Sequence, residues 1–204
     1  MANGQELTAK SRPPTADRRT PKADCRKQTL VSVLVAYATR HGATREIAEA
    51  VAASLRADGL EADALPVKGV RSLDEYTAVV LGAPLYMFHL HADARRFLSR
   101  HRRALEEMPV AVFAGGPYGE AGEEVWREVR ASLDKELAKF AWLSPVSVEV
   151  VGGRFDPTAL RFPWSWLPAL KGMPASDLRD WEAIRAWAGA LVARLHPEPV
   201  REGV

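Results

Sequence analysis

A short polar turn, residues 39–44, has the composition of a phosphate-binding loop. Its members are Thr39, Arg40, His41, Gly42, Ala43 and Thr44. Gly42 lets the backbone bend and approach a ligand closely, and the hydroxyls can donate to phosphate oxygens. Apolar residues at helical spacing follow, so the turn would lie at a helix N-terminus, where free N–H groups and the helix dipole stabilise an anion. Two interpretations stay open for Thr39 and Thr44 (phosphate contacts, or turn and cap residues), and Arg40 either pairs with the phosphate or is only solvated.

Two later loops supply rings and glycines. Residues 83–91 contain the run Tyr86, Met87 and Phe88, which can wall a flat ligand or belong to the core. Residues 114–119 combine Gly115 and Gly116, which permit close backbone approach, with a further ring. That ring is Tyr118. Both loops follow short apolar runs, so each is expected at the end of a buried strand.

The elements that must position these loops follow from hydrophobic periodicity. Buried strands are predicted at 31–36, 78–82 and 110–113, a half-buried edge strand at 60–66 and a last strand at 145–151. Helices are predicted at 44–57, 93–105 and 126–137, with a last one capped by Asp177 and running to Leu195. This alternation predicts an α/β fold, a doubly wound five-stranded parallel sheet of order 2-1-3-4-5 with helices on both faces.

The three loops are expected to meet at one place. Doubly wound sheets bind ligands outside the carboxyl ends of the strands, where the strand order reverses. Residues 37–44, 83–91 and 114–119 follow the first, third and fourth strands and would all reach that edge. A phosphate-binding turn beside aromatic walls describes a site for flavin mononucleotide (FMN). A dinucleotide is not supported, because the chain has no Gly-x-Gly-x-x-Gly fingerprint.

Composition narrows the classes of function. The 204 residues carry a net charge of only +2, so no large nucleic-acid footprint is implied. The single cysteine, Cys25, excludes an internal disulfide and a Cys-rich metal site, and a reducing cytoplasm fits best. No apolar run approaches the roughly 20 residues that span a bilayer. His89 and His91 lack a third ligand in view, so no metal is expected; His89 is either a proton donor near the flavin or a surface histidine.

The domain is expected to span residues 29–196. Residues 1–28 are predicted to be a disordered basic tail, either an electrostatic tether, an untethered tail or residues upstream of the true start codon. Residues 197–204 are predicted to be a polar C-terminal tail. The irregular stretch 154–176 carries Trp164 and Trp166. These indoles either form a membrane-interface or partner patch, or pack over the sheet edge or the cofactor mouth.

The turn and its surroundings resemble those of the flavodoxin-like FMN-binding domains. The family pattern is a hydroxyl residue, two variable positions, glycine, one variable position and threonine, as in residues 39–44, and here Ile47 and Ala48 follow. The menaquinone-dependent protoporphyrinogen dehydrogenase branch is similar in more detail, since it also has an arginine at the position of Arg40 and continues with Arg-Glu-Ile-Ala. The loop 82–91 looks similar to its second flavin loop, although Pro84 and Leu85 stand where that branch is more polar or basic.

The resemblance extends over about residues 30 to 195, including 161–166 and the pair Asp180 and Trp181. It implies FMN as the cofactor and a set of contacts to it: Thr39, Arg40, His41, Gly42, Ala43, Thr44, Pro84, Leu85, Tyr86, Met87, Phe88, Ala114, Gly115, Gly116 and Tyr118. No catalytic acid or base triad is required, because the flavin carries the chemistry.

Three functions follow as expectations. The first is a flavodoxin-like oxidoreductase or electron carrier with an unassigned redox partner. The second is a protoporphyrinogen IX dehydrogenase that passes electrons to menaquinone, with peripheral membrane contact through 154–176. The third is a flavodoxin-fold binding module without a cofactor. The sequence leaves the oligomeric state open.

Overall fold

The computed structural model describes residues 32–117, 121–156 and 174–195. The predicted tails and most of the stretch 154–176, with Trp164 and Trp166, lie outside these residues. The strands are β1 Ser32–Tyr37, β2 Glu61–Pro66, β3 Ala78–Tyr86, β4 His89–Leu90, β5 Val110–Gly115, β6 Ser147–Val151, β7 Arg154–Phe155 and β8 Ser176–Asp177. The helices are α1 Ala43–Ala57, α2 Ala92–Arg100, α3 Arg102–Glu106, α4 Glu123–Leu137 and α5 Trp181–Leu195.

Five parallel strands form the main sheet in the order β2-β1-β3-β5-β6. Counted along the parallel strands alone, this is the predicted order 2-1-3-4-5, and β2 is the predicted edge strand. The strand order reverses between β1 and β3, which is where such a sheet opens a ligand crevice. The structure adds β4, which pairs antiparallel with β3, and a separate two-stranded β7–β8 ribbon.

The core lies in two layers, one on each face of the sheet, because successive strand residues point to opposite faces. Val33 and Val35 face a cluster that contains the apolar stripes of α1 and α5. Leu34 and Ala36 face a second cluster, built with α2 and α4. Ile47 on α1 and Leu98 on α2 are almost fully buried in their respective layers. Helices therefore cover both faces, as the periodicity predicted.

Several boundaries predicted from the sequence were wrong. Ala114 and Gly115, predicted as loop, end β5. Residues 83–86, predicted as loop, continue β3, because β4 pairs with Leu85 and Tyr86 and extends the strand. The single helix predicted at 93–105 is two helices with His101 between them, although Leu105 still reaches the core. Asp177 lies in β8, and the first turn of α5 is capped by Asp180, whose Oδ1 accepts from the N–H groups of Glu182 and Ala183 at 3.0 and 2.9 Å.

A buried carboxylate ties α4 to the β3–β4 hairpin. Glu136 Oε2 accepts from the backbone N–H of Leu90 at 3.2 Å, and Oε1 lies 3.0 Å from His89 Nδ1 and also contacts Lys139. Burial alone would raise the pKa of Glu136, but the hydrogen bonds from Lys139, His89 and the Leu90 amide outweigh it and lower that pKa to about 2. The ionised carboxylate is therefore part of the folded state.

Among the described helices, none has the length and apolar character needed to cross a bilayer.

We expect Gly82→Ala to lower the free energy of unfolding by about 1–3 kcal/mol. A Cβ at Gly82 would lie 2.1 Å from the ring of Phe113, which is fully buried on the neighbouring strand. Urea unfolding measures the change. The control is Gly69→Ala, whose Cβ would meet its nearest atom at an ordinary 3.4 Å. Equal stabilities for the two variants would contradict this packing.

Glu136 also predicts a pH dependence. The unfolded chain protonates this carboxyl near pH 4.5, whereas the folded chain does so only near pH 2, so the stabilisation is present above the unfolded pKa and is lost as the pH falls. From pH 5 to about pH 2, wild type should lose about 3 kcal/mol more unfolding free energy than Glu136→Gln. Parallel urea-unfolding profiles for the two proteins across this range would contradict the assignment.

Candidate cofactor site

The N-terminus of α1 is open. The helix begins directly after Gly42, which has a φ of 91° and occupies the N-cap position, and no side chain among the described residues caps the first-turn N–H groups. The Thr39 hydroxyl instead accepts from the N–H of Gly42 at 2.9 Å and so fixes the turn. A Cβ added at Gly42 would meet nothing within 4 Å. These amides and the open space beside Gly42 are the features by which a helix end can hold an anion.

The remaining members of the turn differ in exposure. Thr44 is buried in the first turn of α1, whereas Arg40 and His41 are exposed, and Ala43 is the first helical residue. Thr44 shares the buried face of α1 with Ile47 and Ala48. The turn thus combines a buried threonine with exposed basic side chains.

The second loop presents three large apolar side chains to solvent. Tyr86 is 38% exposed, Met87 86% and Phe88 59%. Met87 and Phe88 have φ values of 50° and 66°, because a two-residue hairpin turn between right-twisted strands favours positive φ at both positions. Such a conformation costs about 1 kcal/mol or more for each non-glycine residue. The buried Glu136 contacts hold this strained turn from its β4 side.

The first and second loops are in contact. The guanidinium of Arg40 lies 5.9 Å from the centre of the Tyr86 ring. The centres of the Tyr86 and His91 rings are 5.8 Å apart. His91 Nδ1 accepts from the Asp93 N–H at 3.2 Å, and burial is the main reason that the pKa of His91 is lowered. His91 is therefore largely neutral at pH 7 beside the candidate site.

The sheet register brings the third loop next to the second. Pro84 on β3 pairs with Gly115 on β5, and a Cβ at Gly115 would lie 3.7 Å from the Pro84 Cα. Gly116 is confined: its Cβ would lie 2.8 Å from Val150, and its N–H donates to the Val151 carbonyl. Pro84 and Leu85 are half-buried strand residues. Ala114 is fully buried and its side chain packs in the core, and Tyr118 lies outside the described residues.

Two residues beside the turn were not identified from the sequence. Glu46 lies in the first turn of α1, and Arg179 Nη1 donates to its carboxylate at 2.6 Å. An acidic residue in the first turn is ordinary for a helix, and its partner is 133 residues away, so no local pattern marks this contact. The two histidines considered for a metal have other partners: His89 contacts Glu136, and His91 contacts Asp93.

A cavity of about 470 Å³ lies elsewhere, on the outer edge of β6. Arg130 and Arg194 line it, and their guanidinium groups donate to the carbonyls of Val148 and Val146 at 3.0 and 3.1 Å. The indole of Trp187 donates to the Ser147 hydroxyl. These side chains cover an edge strand and prevent unwanted strand pairing, so this groove is explained by the fold.

Comparison with known proteins agrees with this fold. The family model for the flavodoxin domain matches residues 34–163. Protoporphyrinogen IX dehydrogenase [quinone] from Escherichia coli strain K12 is 29% identical over 135 residues, which is 65% of this chain and 71% of that protein.

Solved structures of two flavodoxins share the fold. Oxidised flavodoxin 1 from Bacillus cereus superposes with a TM-score of 0.53 at 18% identity, over 81% of this chain and 99% of that one. Oxidised flavodoxin 2 from the same organism gives 0.52 at 20% identity, over 80% and 99%. The family model covers more than half of this chain, and the parallel sheet has the order expected of that fold, with the turn 39–44 after its first strand. The chain therefore belongs to the flavodoxin domain family.

Proposed function

We propose that this protein binds FMN at the carboxyl ends of its strands and serves as a flavodoxin-like oxidoreductase or electron carrier. One observation carries the proposal: the uncapped N-terminus of α1 lies beside three exposed apolar side chains, and Arg40 and Tyr86 join the two features. An anion-binding end next to an apolar surface matches FMN, which has a phosphate at one end and a flat ring system at the other.

The phosphate end would be held by the turn 39–44. The donors would be the backbone N–H groups of Arg40, His41, Ala43 and Thr44 and the hydroxyls of Thr39 and Thr44. The Gly42 N–H, which the sequence also suggested, donates to the Thr39 hydroxyl and fixes the turn instead. Hydrogen bonds to a charged group are about twice as strong as neutral ones, and the helix dipole adds to them. Arg40 is exposed and can complete the site as a counter-charge.

The ring end would lie against the second and third loops. Tyr86, Met87 and Phe88 form one wall, and Gly115 and Gly116 let the opposite backbone approach closely; Tyr118 is the further ring proposed from the sequence. When bound, FMN supplies the redox chemistry. The apolar side chains of this chain would exclude water from the ring and disfavour negative charge on it, which tunes its potential.

A narrower candidate is oxidation of protoporphyrinogen IX with a quinone as acceptor. The 29% identity to the Escherichia coli protein whose name states that activity favours it. A quinone partner would agree with peripheral membrane contact through residues 154–176, which we keep as part of this narrower candidate. A cofactor-free binding module remains the alternative, because fold alone does not fix function.

FMN titration tests the proposal. Wild type should shift and quench the visible flavin absorption and fluorescence with one-to-one stoichiometry. Thr44→Ala should weaken FMN binding by about 1–3 kcal/mol, because a hydrogen bond to a charged group is lost. Thr44→Ser keeps the hydroxyl and should stay close to wild type.

The matched control is Thr77→Ala. Its hydroxyl bonds to Ser32 at the opposite end of β1, so FMN affinity should not change. Wild type that takes up no FMN would refute the flavin proposal and favour the binding module. Unchanged affinity in Thr44→Ala would remove Thr44 from the site.

Anaerobic turnover separates the two redox candidates. FMN-loaded protein should oxidise protoporphyrinogen IX when a menaquinone analogue is supplied, and the rate should depend on both compounds. A loaded protein that is reduced and reoxidised by other redox partners but leaves protoporphyrinogen unchanged would eliminate the narrower candidate only.

A further inference from the structure

A buried arginine connects the first turn of α1 to the segment before α5. The side chain of Arg179 is only 4% exposed. Its Nε and Nη2 donate to the two oxygens of Asp177 at 2.7 and 2.6 Å, and its Nη1 donates to Glu46 at 2.6 Å. The guanidinium also lies over the ring of Trp181, 4.7 Å from its centre. Every donating nitrogen is therefore directed at a carboxylate, and the planar group is fixed from one face.

The backbone beside Arg179 is held against the third loop. The N–H of Leu178 donates to the Gly153 carbonyl at 3.0 Å, and the N–H of Gly153 donates to the Pro117 carbonyl at 2.8 Å. A Cβ at Gly152 would lie 1.8 Å from the Leu178 carbonyl oxygen, so only glycine permits this approach. Arg179 therefore reaches Glu46 from a rigid support.

Glu46 occupies a position where its charge matters. It lies in the first turn of α1, two residues after Thr44, and its N–H bonds to the Gly42 carbonyl. A carboxylate there interacts favourably with the helix dipole, but it repels any anion bound at the same end. Besides Arg179, Arg154 lies 3.4 Å from the other carboxylate oxygen. Glu46 therefore shares these two guanidinium groups with Asp177, which pairs with Arg179, and with Asp156, which pairs with Arg154.

The pair formed by Arg179 and Asp177 is charged at neutral pH. Hydrogen bonds to Asp177, and then to Glu46, raise the pKa of Arg179 above its ordinary value despite burial, which opposes the rise. The same contact with Arg179 lowers the pKa of Asp177. Asp156 adds a third carboxylate, 3.5 Å from Arg154, so the loss of Arg179 would raise the excess of negative charge in this network from one to two.

We propose that Arg179 is a positioning residue that neutralises Glu46 and thereby lets a phosphate dianion bind at the N-terminus of α1. The inference rests on the proposed function, since the anion is the phosphate of FMN. The proposal also predicts specificity: the network affects the binding of FMN and not the binding of riboflavin, which has the same ring but no phosphate. A merely structural role would affect both flavins alike.

Dissociation constants for FMN and riboflavin test this in wild type, Arg179→Gln, Glu46→Gln and the double variant. Arg179→Gln should weaken FMN binding roughly tenfold at low salt, whereas riboflavin binding should change less than about twofold. Without Arg179, the carboxylate of Glu46 repels the phosphate of FMN, and riboflavin has no phosphate to be repelled. The loss should shrink as salt is raised. The double variant should recover FMN affinity. Arg185→Gln, which removes an exposed arginine of α5, should change neither flavin.

The outcomes separate the two proposals. Equal weakening of both flavins in Arg179→Gln, or no recovery in the double variant, would overturn this inference while FMN binding by wild type stands. Wild type that binds neither flavin would overturn the proposed function and this inference with it. If circular dichroism shows that Arg179→Gln does not fold, Glu46→Gln decides alone: its FMN affinity relative to riboflavin should rise, and an unchanged ratio overturns the inference.

Discussion

The open N-terminus of α1 is the feature on which the proposed chemistry depends. A helix end normally obtains side-chain caps for its first amides, and here the Thr39 hydroxyl is used within the turn instead. Burial holds this helix end in place. Ile47 and Val51 pack α1 against the sheet, and β1 is almost fully buried. A rigid helix with free amides is suited to bind an anion without first having to be ordered.

The other two loops gain their position from the sheet register. Pairing of β3 with β5 sets Pro84 opposite Gly115, so the second and third loops are neighbours however far apart they are in the chain. The β3–β4 hairpin then turns Met87 and Phe88 outwards in a strained conformation that Glu136 stabilises from α4. The buried carboxylate of Glu136 thus stabilises the hairpin that carries the exposed apolar side chains, and the partly exposed carboxylate of Glu46 lies beside the proposed anion site.

Sequence patterns predicted the features that local physics determines. The valine-rich runs, the helical stripes and the glycine-containing turn gave five parallel strands in the right order, because burial on both faces leaves a strong signal. The hairpin was not predicted, since its turn residues are Met87 and Phe88 rather than the asparagine and glycine that usually mark such turns. The contacts of Glu136 and Arg179 were not predictable either, because their partners lie 46 and 133 residues away. Asp177 and Asp180 are equally good caps by type, but Asp177 lies in β8 and accepts from Arg179, while Asp180 accepts from the first amides of α5.

A crystal structure of the protein with FMN would be the most direct test of the proposed site. We expect phosphate oxygens about 2.7–3.2 Å from the amides of Ala43 and Thr44 and from the Thr44 hydroxyl, with the ring system against Tyr86 and Phe88. Flavin bound in the groove at the edge of β6, or a phosphate directed away from α1, would contradict it.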